Sequence, residues 1–135
     1  MIEIDDVRHS VIQNAVEALA SGEPARLCGV LLDPDIHWHE PGRNLVAGDY
    51  RGCEEVAGSL FGRLRELSNG TYRVVDWDTV TREPEREVAM YLVRARRGAR
   101  DLLSRDVCFA EVRDGAIIAA QVFHADQHAW DRFWS

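Results

Sequence analysis

The sequence predicts an α+β fold, with helices gathered on one face of a mainly antiparallel sheet. Three observations carry that expectation. Apolar residues recur at helical spacing through much of the first half of the chain. Beyond residue 70 the pattern changes to period two, and Asp114-Gly115, set between alternating apolar residues, is a strong hairpin signal. Runs of helices followed by runs of strands place the helices on one side of a sheet.

Composition sets the bounds. The chain has 135 residues, 46% hydrophobic and 29% charged, and reads as one domain, residues 1–135, able to bury a core without staples. No apolar run is long enough to span a bilayer. The opening Met-Ile-Glu-Ile-Asp-Asp is acidic where a secretory leader is basic and then apolar. Cys28, Cys53 and Cys108 lie far apart with no paired spacing, so neither a disulfide framework nor a cysteine metal site is expected. A cytoplasmic location fits that usage. Formal net charge is −7 and each of the 16 basic residues is arginine. A nucleic-acid surface needs a basic face, so no such partner is expected. Arg94, Arg96, Arg97 and Arg100 flank Gly98 and read as a solvated hairpin tip.

Each element follows from local pattern. Residues 7–20 place Val7, Val11, Ile12, Ala15, Val16 and Leu19 on one helical face, with Asp5 or Asp6 as cap and Ser21-Gly22 as exit. Pro24 suits the first turn of a second, shorter helix carrying Leu27, Val30, Leu31 and Leu32. Asp33-Pro34 breaks that helix, because the residue before a proline leaves the α region. A strand over 36–40 comes next, then a loop. Residues 53–67 carry Val56, Leu60, Phe61, Leu64 and Leu67 as a third helix, left through Asn69 or Gly70. Strands are expected over 71–81, 87–97, 100–112 and 116–123. The tail puts Trp130, Phe133 and Trp134 at helical spacing, as a docking helix or a dimer contact.

In the strand over 87–97, Val88, Met90 and Leu92 point one way while Ala89, Tyr91 and Val93 point the other. A sheet with one wet face alternates apolar with polar residues, so both faces here call for cover. The helices cover one. A second copy of the chain, pairing through the sheet, is the expected cover for the other.

The chemistry concentrates in Ile36-His37-Trp38-His39-Glu40-Pro41-Gly42. Side chains alternate on a strand, so His37 and His39 share one face while Ile36, Trp38 and Glu40 share the other. Together with Trp-His-x-Pro-Gly at this strand's end, three further motifs stand in order. They are Gly48, Tyr50 and Gly52 before the third helix, Arg113-Asp114-Gly115 in the last hairpin, and Asp126-Gln127 with Phe133-Trp134 at the close. Over essentially its whole length the chain resembles the SnoaL-like branch of the NTF2-like superfamily. The resemblance implies a cone-shaped α+β barrel of the cystatin-like kind. Three N-terminal helices would pack on a curved sheet enclosing an apolar pocket, with the convex side often forming a dimer. It implies no single activity, since the superfamily holds polyketide cyclases, ketosteroid isomerase, limonene epoxide hydrolase and members without known chemistry.

For the site, the resemblance points two ways. The isomerase carries its base immediately before a proline at this strand's end, the slot of Glu40. The epoxide hydrolase places its pocket residues two and four positions before that proline, the slots of His39 and His37. A bulge near Pro41 would present both His39 and Glu40. In an apolar cone, burial raises Glu40 toward a general-base pKa, and His39 beside it offers an imidazole as a second proton-carrying group. The expected catalytic residues are therefore Glu40 and His39. The isomerase's two oxyanion donors align with Ala15 and Val107, so steroid isomerisation is not expected. Of Arg105 and Asp106, one faces inward, and Arg105 is more often a salt-bridged structural residue than an anion or carbonyl clamp.

His37, Trp38, Tyr50, Arg105, Phe109 and Phe123 are the expected ligand-binding residues. The ligand is expected to be an apolar or polycyclic small molecule, handled if at all by cofactor-free acid–base chemistry of the isomerase, cyclase or hydrolase kind. No cofactor or metal is expected. A site built from His37-x-His39 with His124 and His128 is a minor alternative. A non-catalytic ligand-binding or assembly module of the same fold is the rival reading.

Overall fold

The computed structural model describes residues 10–22 and 27–135. The first helix, α1, spans Val11–Ser21 and buries Ile12, Ala15, Val16 and Leu19, the stripe expected from spacing. Asp5, Asp6, Val7 and Pro24 lie outside the described residues. Ser10 caps the helix by accepting from the Gln13 N–H at 3.0 Å, and Gly22 ends it at φ 87°. A second, tertiary cap comes from Glu87, buried on a strand of the sheet. Its carboxylate accepts from the Ser10 hydroxyl and from the Val11 and Ile12 N–H groups at 2.9–3.1 Å. An anion at a helix N-terminus meets the orphan N–H groups and the positive end of the dipole, so this contact fixes α1 against the sheet.

The helix expected over Leu27–Leu32 is absent. Val30, Leu31 and Leu32 all donate their N–H to the Leu27 carbonyl at 3.0 Å, a tight turn that leaves Val30 exposed. The apolar run resembles a helical stripe, but Asp33-Pro34 is drawn into strand β1, Leu32–Glu40, and takes the chain out of the α region early. The β1 pairing shifts register between Leu32 and His37, where a proline is tolerated in a sheet. After a loop, Gly48–Arg51 forms β2, a short edge strand where a loop was expected.

The next helix, α2, is π-helical over Glu55–Gly62 and α-helical over Arg63–Leu67, and buries Val56, Ala57, Leu60, Phe61 and Leu64. Four strands follow as expected: β3 Arg73–Glu83, β4 Arg86–Arg97, β5 Arg100–Arg113 and β6 Ala116–His124. Asp114 and Gly115 both take positive φ, 53° and 78°, as the two central residues of a tight hairpin turn must. Helix α3, Gln127–Phe133, is capped by Asp126 and buries Trp130 and Phe133, with Trp134 buried just beyond. The tail therefore docks on its own chain.

The strands form one curved sheet in the order β2-β1-β6-β5-β4-β3, parallel between β1 and β6 and antiparallel elsewhere. Among the described residues the helices are two before the meander and one after it, so two of the three expected N-terminal helices are present and the tail helix is the third. Along β5 the even positions from Leu102 to Val112 are buried, while Leu103, Arg105, Phe109, Glu111 and Arg113 are exposed on the outer face. On that face Phe109 and Phe123 meet edge to face at 5.6 Å, each 45% exposed. No described helix is long and apolar enough to cross a membrane.

Cys28 and Cys53 are joined in a disulfide across 25 residues, against the expectation of no disulfide. Their separation hides the pairing: the turn at 27–31 and the start of α2 meet only once β1 is laid into the sheet. By loop closure alone such a bond contributes about 3 kcal/mol. Cys108 is free and buried.

Candidate functional site

Three strands converge on one imidazole. His124, at the end of β6, donates from Nδ1 to Asp106 of β5 at 2.7 Å and from Nε2 to Glu40 of β1 at 2.6 Å. Ser104, two residues before Asp106 on the same face, donates to the same Asp106 oxygen at 2.7 Å. All four side chains are buried. Their order in space, Ser104–Asp106–His124–Glu40, is an unbroken hydrogen-bonded chain through the interior. Trp130 of α3 lies flat on the His124 ring, centroids 3.6 Å apart and planes 12° from parallel. An indole face against an imidazolium is a cation–π contact, and it links the terminal helix to the charged chain.

The charge states follow from competing terms. Burial pulls the His124 pKa down, but the hydrogen bonds to Asp106 and Glu40 outweigh it and raise the group to about 9. Burial pushes the Glu40 carboxyl up, offset in part by His124, and does the same to Asp106. Two carboxyls and one imidazolium thus share a site in which a second negative charge is disfavoured.

This chain borders a small hollow. Trp38, Glu40, Tyr72, Tyr91, Asp106 and Trp130 are among its lining, with Phe61 and Leu64 of α2 closing one side. Its volume of about 10 Å³ is room for a single water molecule. The Trp38 and Trp130 indole N–H groups are buried with no hydrogen-bond partner. The Trp38 N–H helps lower the Glu40 pKa without reaching hydrogen-bond geometry. The Tyr72 and Tyr91 phenols are pushed well above their ordinary range, by burial first and by neighbouring acidic groups next, and remain donors.

Of the residues singled out from sequence, Glu40 and Trp38 face this interior. Tyr50 pairs with Trp38 across β1 and β2 and is half-buried, but its hydroxyl donates to the Val46 carbonyl at 2.8 Å. His39 does not join Glu40. No bulge forms at Pro41, since His37 to Glu40 pair with β2 in regular register, so His37 and His39 stand on the outer face. There both donate to Asp49, at 3.2 and 2.7 Å. Arg105 also points outward, paired with Asp78, and Phe109 and Phe123 lie on the same outer surface. The inward residue of that pair on β5 is Asp106, and Val107 is outside.

His124, which the sequence offers only as a metal ligand, is the partner of Glu40. The signal was present: Gln121 marks the outer face of β6, which sets His124 on the inner one, in phase with Ala120 and Val122.

The loop after β1 is held by α3. Asp131 accepts from Asn44 Nδ2 at 2.7 Å and from the Arg43 N–H at 3.2 Å. Gly42 sits at φ 103°, where an added Cβ would meet Asp131 Oδ1 at 2.3 Å and Gln127 Nε2 at 2.4 Å. Any other residue at this positive φ would be strained and would displace the Asp131 and Gln127 side chains.

A cone-like α+β sheet closed by helices, with a buried acid–imidazole–acid chain inside, is the class of protein that the fold and site define. No protein-family model matches the chain. It is 29% identical over 131 residues to the uncharacterized protein Rv0034 of Mycobacterium tuberculosis, covering 97% of this chain and 98% of that one. Among solved structures it is similar to Bal32a, from a soil-derived mobile gene cassette, at TM-score 0.83 and 29% identity, covering 93% of this chain and 94% of that one. An NTF2-like protein from Burkholderia xenovorans LB400 superposes at TM-score 0.76 and 20% identity, covering 93% of each chain. The fold is that of the NTF2-like and cystatin-like proteins.

The site makes stability depend on pH. His124 is raised from 6.5 to about 9, so its contribution is complete below pH 6.5 and is lost as pH rises through 9. Glu40 and Asp106, also raised, act in the same sense, because the folded state holds their protons more tightly. Chemical denaturation should show unfolding free energy falling by up to roughly 3 kcal/mol between neutral and alkaline pH, with a flatter profile in His124→Asn. Stability that rises over that interval would contradict the assigned charge states.

Proposed function

We propose that this protein binds a small neutral molecule in its interior pocket and moves a proton on it, with Glu40 as the acid–base group and His124–Asp106 setting its protonation. The observation that carries the reading is the buried chain Ser104–Asp106–His124–Glu40 beside a hollow bordered by unpaired indole donors. Burying three ionisable groups is expensive, and an apolar core of the same volume is commonly at least as stable. Perturbed carboxyls beside unused donors are what proton transfer next to a hydrogen-bond acceptor requires. The donors Trp38, Trp130, Tyr72 and Tyr91 call for an acceptor such as a carbonyl or ring oxygen, and the acidic pair disfavours an anion.

A hollow the size of one water means that Phe61 and Leu64 must withdraw for any larger ligand. Their helix is the one with a π-helical stretch, a geometry found frequently at functional sites. A polycyclic ligand demands the largest such movement, so a small ring or ketone is favoured. A cytoplasmic setting would keep Cys28 and Cys53 as thiols rather than the disulfide.

Small ketones such as cyclohexenone test this directly, with the indole N–H resonances followed in ordinary water and hydrogen exchange followed in heavy water. The indole N–H resonances of Trp38 and Trp130 should shift saturably, while that of Trp77, already bonded to Glu17 at 2.8 Å, stays in place. Exchange of the ketone's α-hydrogen should accelerate and fall by about 10²–10³-fold in Glu40→Gln. Saturable shifts with no exchange would leave the rival reading, a non-catalytic binding module. No shift at either indole would end the ligand proposal.

We further propose a homodimer through the outer face of the sheet. Val88, Met90, Leu92, Val107, Phe109 and Phe123 form an apolar surface there, the one exposed Phe–Phe contact at its centre. An apolar area of that kind rimmed by charge marks an interaction face. Light scattering at micromolar concentration should give twice the chain mass, and the single chain mass for Phe109→Arg. A monomeric native protein would refute it.

A further inference from the structure

The Cys28–Cys53 bond is unequal at its two ends. Cys28 is exposed, while Cys53 is buried in the helical turn that leads into α2. Both border a groove of about 400 Å³, with Arg51, Glu54 and Glu55 among its lining. No residue of that groove belongs to the apolar face proposed for pairing. On the Cys28 side the anchor is firm: Leu27 is buried, and the Ile117 N–H donates to the Leu31 carbonyl at 2.8 Å, so the turn is fixed to β6. On the other side stands the helix that closes the hollow. Its π-helical stretch holds Gly58 and Gly62, which weaken any helix, and it carries Phe61 about two turns beyond Cys53. We propose that Cys28 is a thiol-exchange site, at which a small thiol opens the bond and frees α2 to draw Phe61 and Leu64 away from the hollow. The second half rests on the ligand reading above, which already requires that withdrawal.

The incoming thiolate bonds to Cys28 Sγ as the Cys28–Cys53 bond breaks, and the electron pair leaves on Cys53 Sγ. A second thiolate takes the first off as a small disulfide and leaves Cys28 as a thiolate. Both sulfurs then take protons from solvent, so the protein gains two electrons and two small thiols are oxidised to one disulfide. Exposure directs attack to Cys28, because a thiol reaches Cys53 only by entering the core. The leaving sulfur faces the N–H groups of the first helical turn, where a negative charge is stabilised. Arg51 favours an approaching thiolate, while Glu54 and Glu55 oppose it. Once the bond is open, α2 keeps its buried stripe and two polar ties. The Gly52 N–H donates to the Ile36 carbonyl at 2.7 Å, and the Arg65 guanidinium donates to the Leu19 carbonyl at 2.6 Å. Hydrogen bonds break and re-form as the helix moves, which the covalent tie does not.

The test equilibrates the native chain with mixtures of reduced and oxidised glutathione, traps free thiols with iodoacetamide and reads them by mass. Cys28 and Cys53 should pass together from unlabelled to labelled across those mixtures, while buried Cys108 stays unlabelled. Oxidised glutathione should modify Cys28 in Cys53→Ser at least about 10-fold faster than Cys53 in Cys28→Ser. Amide hydrogen exchange over residues 54–67 should quicken at least about 10-fold on reduction, and equally in Cys28→Ser, with β5 unchanged. Cyclohexenone, followed at the Trp38 indole, should bind about 10-fold more tightly to the reduced chain. A bond that survives a large excess of reduced glutathione, or equal modification of the two cysteines, would overturn the proposal. So would α2 exchange that is the same in both redox states. Equal ketone affinity in both states would overturn the gate and leave the ligand reading intact. Quickened α2 exchange with no indole shift in either state would end the ligand reading and uphold the exchange site.

Discussion

One imidazole suspended between two carboxyls organises this molecule. His124, Asp106 and Glu40 come from β6, β5 and β1, three adjacent strands of the sheet, and their side chains meet only if those strands are in register. Trp130 stacks on the same ring and brings α3 down onto the sheet. That helix in turn holds the loop after β1 through Asp131, packed against Gly42 at its positive φ. The chain of charges is thus a clamp between the sheet and α3 as well as the proposed proton carrier. Removing a single partner leaves a buried charge uncompensated, which costs far more than removing the whole set.

The sheet has two working faces, and the strand pattern assigns them without ambiguity once all strands are compared. Inside, apolar side chains surround a narrow polar thread. Outside, an apolar centre on β4, β5 and β6 gives way to the His37–His39–Asp49 cluster toward the β2 edge. Adjacent residues of one strand, His39 and Glu40, therefore serve opposite sides of the protein. Regular alternation separates them more surely than distance in sequence does.

Much of this was legible in the chain. Period-two patterning and Asp114-Gly115 located the meander, and the stripe from Ile12 to Leu19 located the first helix. The face of β1 was also decidable: Glu40 is in phase with Ile36 and Trp38, both wholly buried, and the two histidines are out of phase with them. On β5 the same logic, through the charged Glu111 and Arg113, sets Asp106 inward. What stayed hidden depends on contacts distant in sequence. The Cys28–Cys53 bond, the pairing of four-residue β2, and the meeting of Glu40 with a histidine 84 positions away leave no local trace. The run around Leu27 misled because an apolar turn and an apolar helix share composition, and Pro34 acted on the chain sooner than helix periodicity suggested.

The account turns on the protonation of His124. Nitrogen-15 NMR of its ring reads this directly, since an imidazolium and the two neutral tautomers give distinct shift patterns. With both neighbours accepting from it, His124 should show two protonated ring nitrogens at pH 6.5 and hold them until the pH nears 9. A ring already neutral in a single tautomer at the lower pH would contradict the account, leaving Glu40 or Asp106 as the proton carrier and the clamp uncharged.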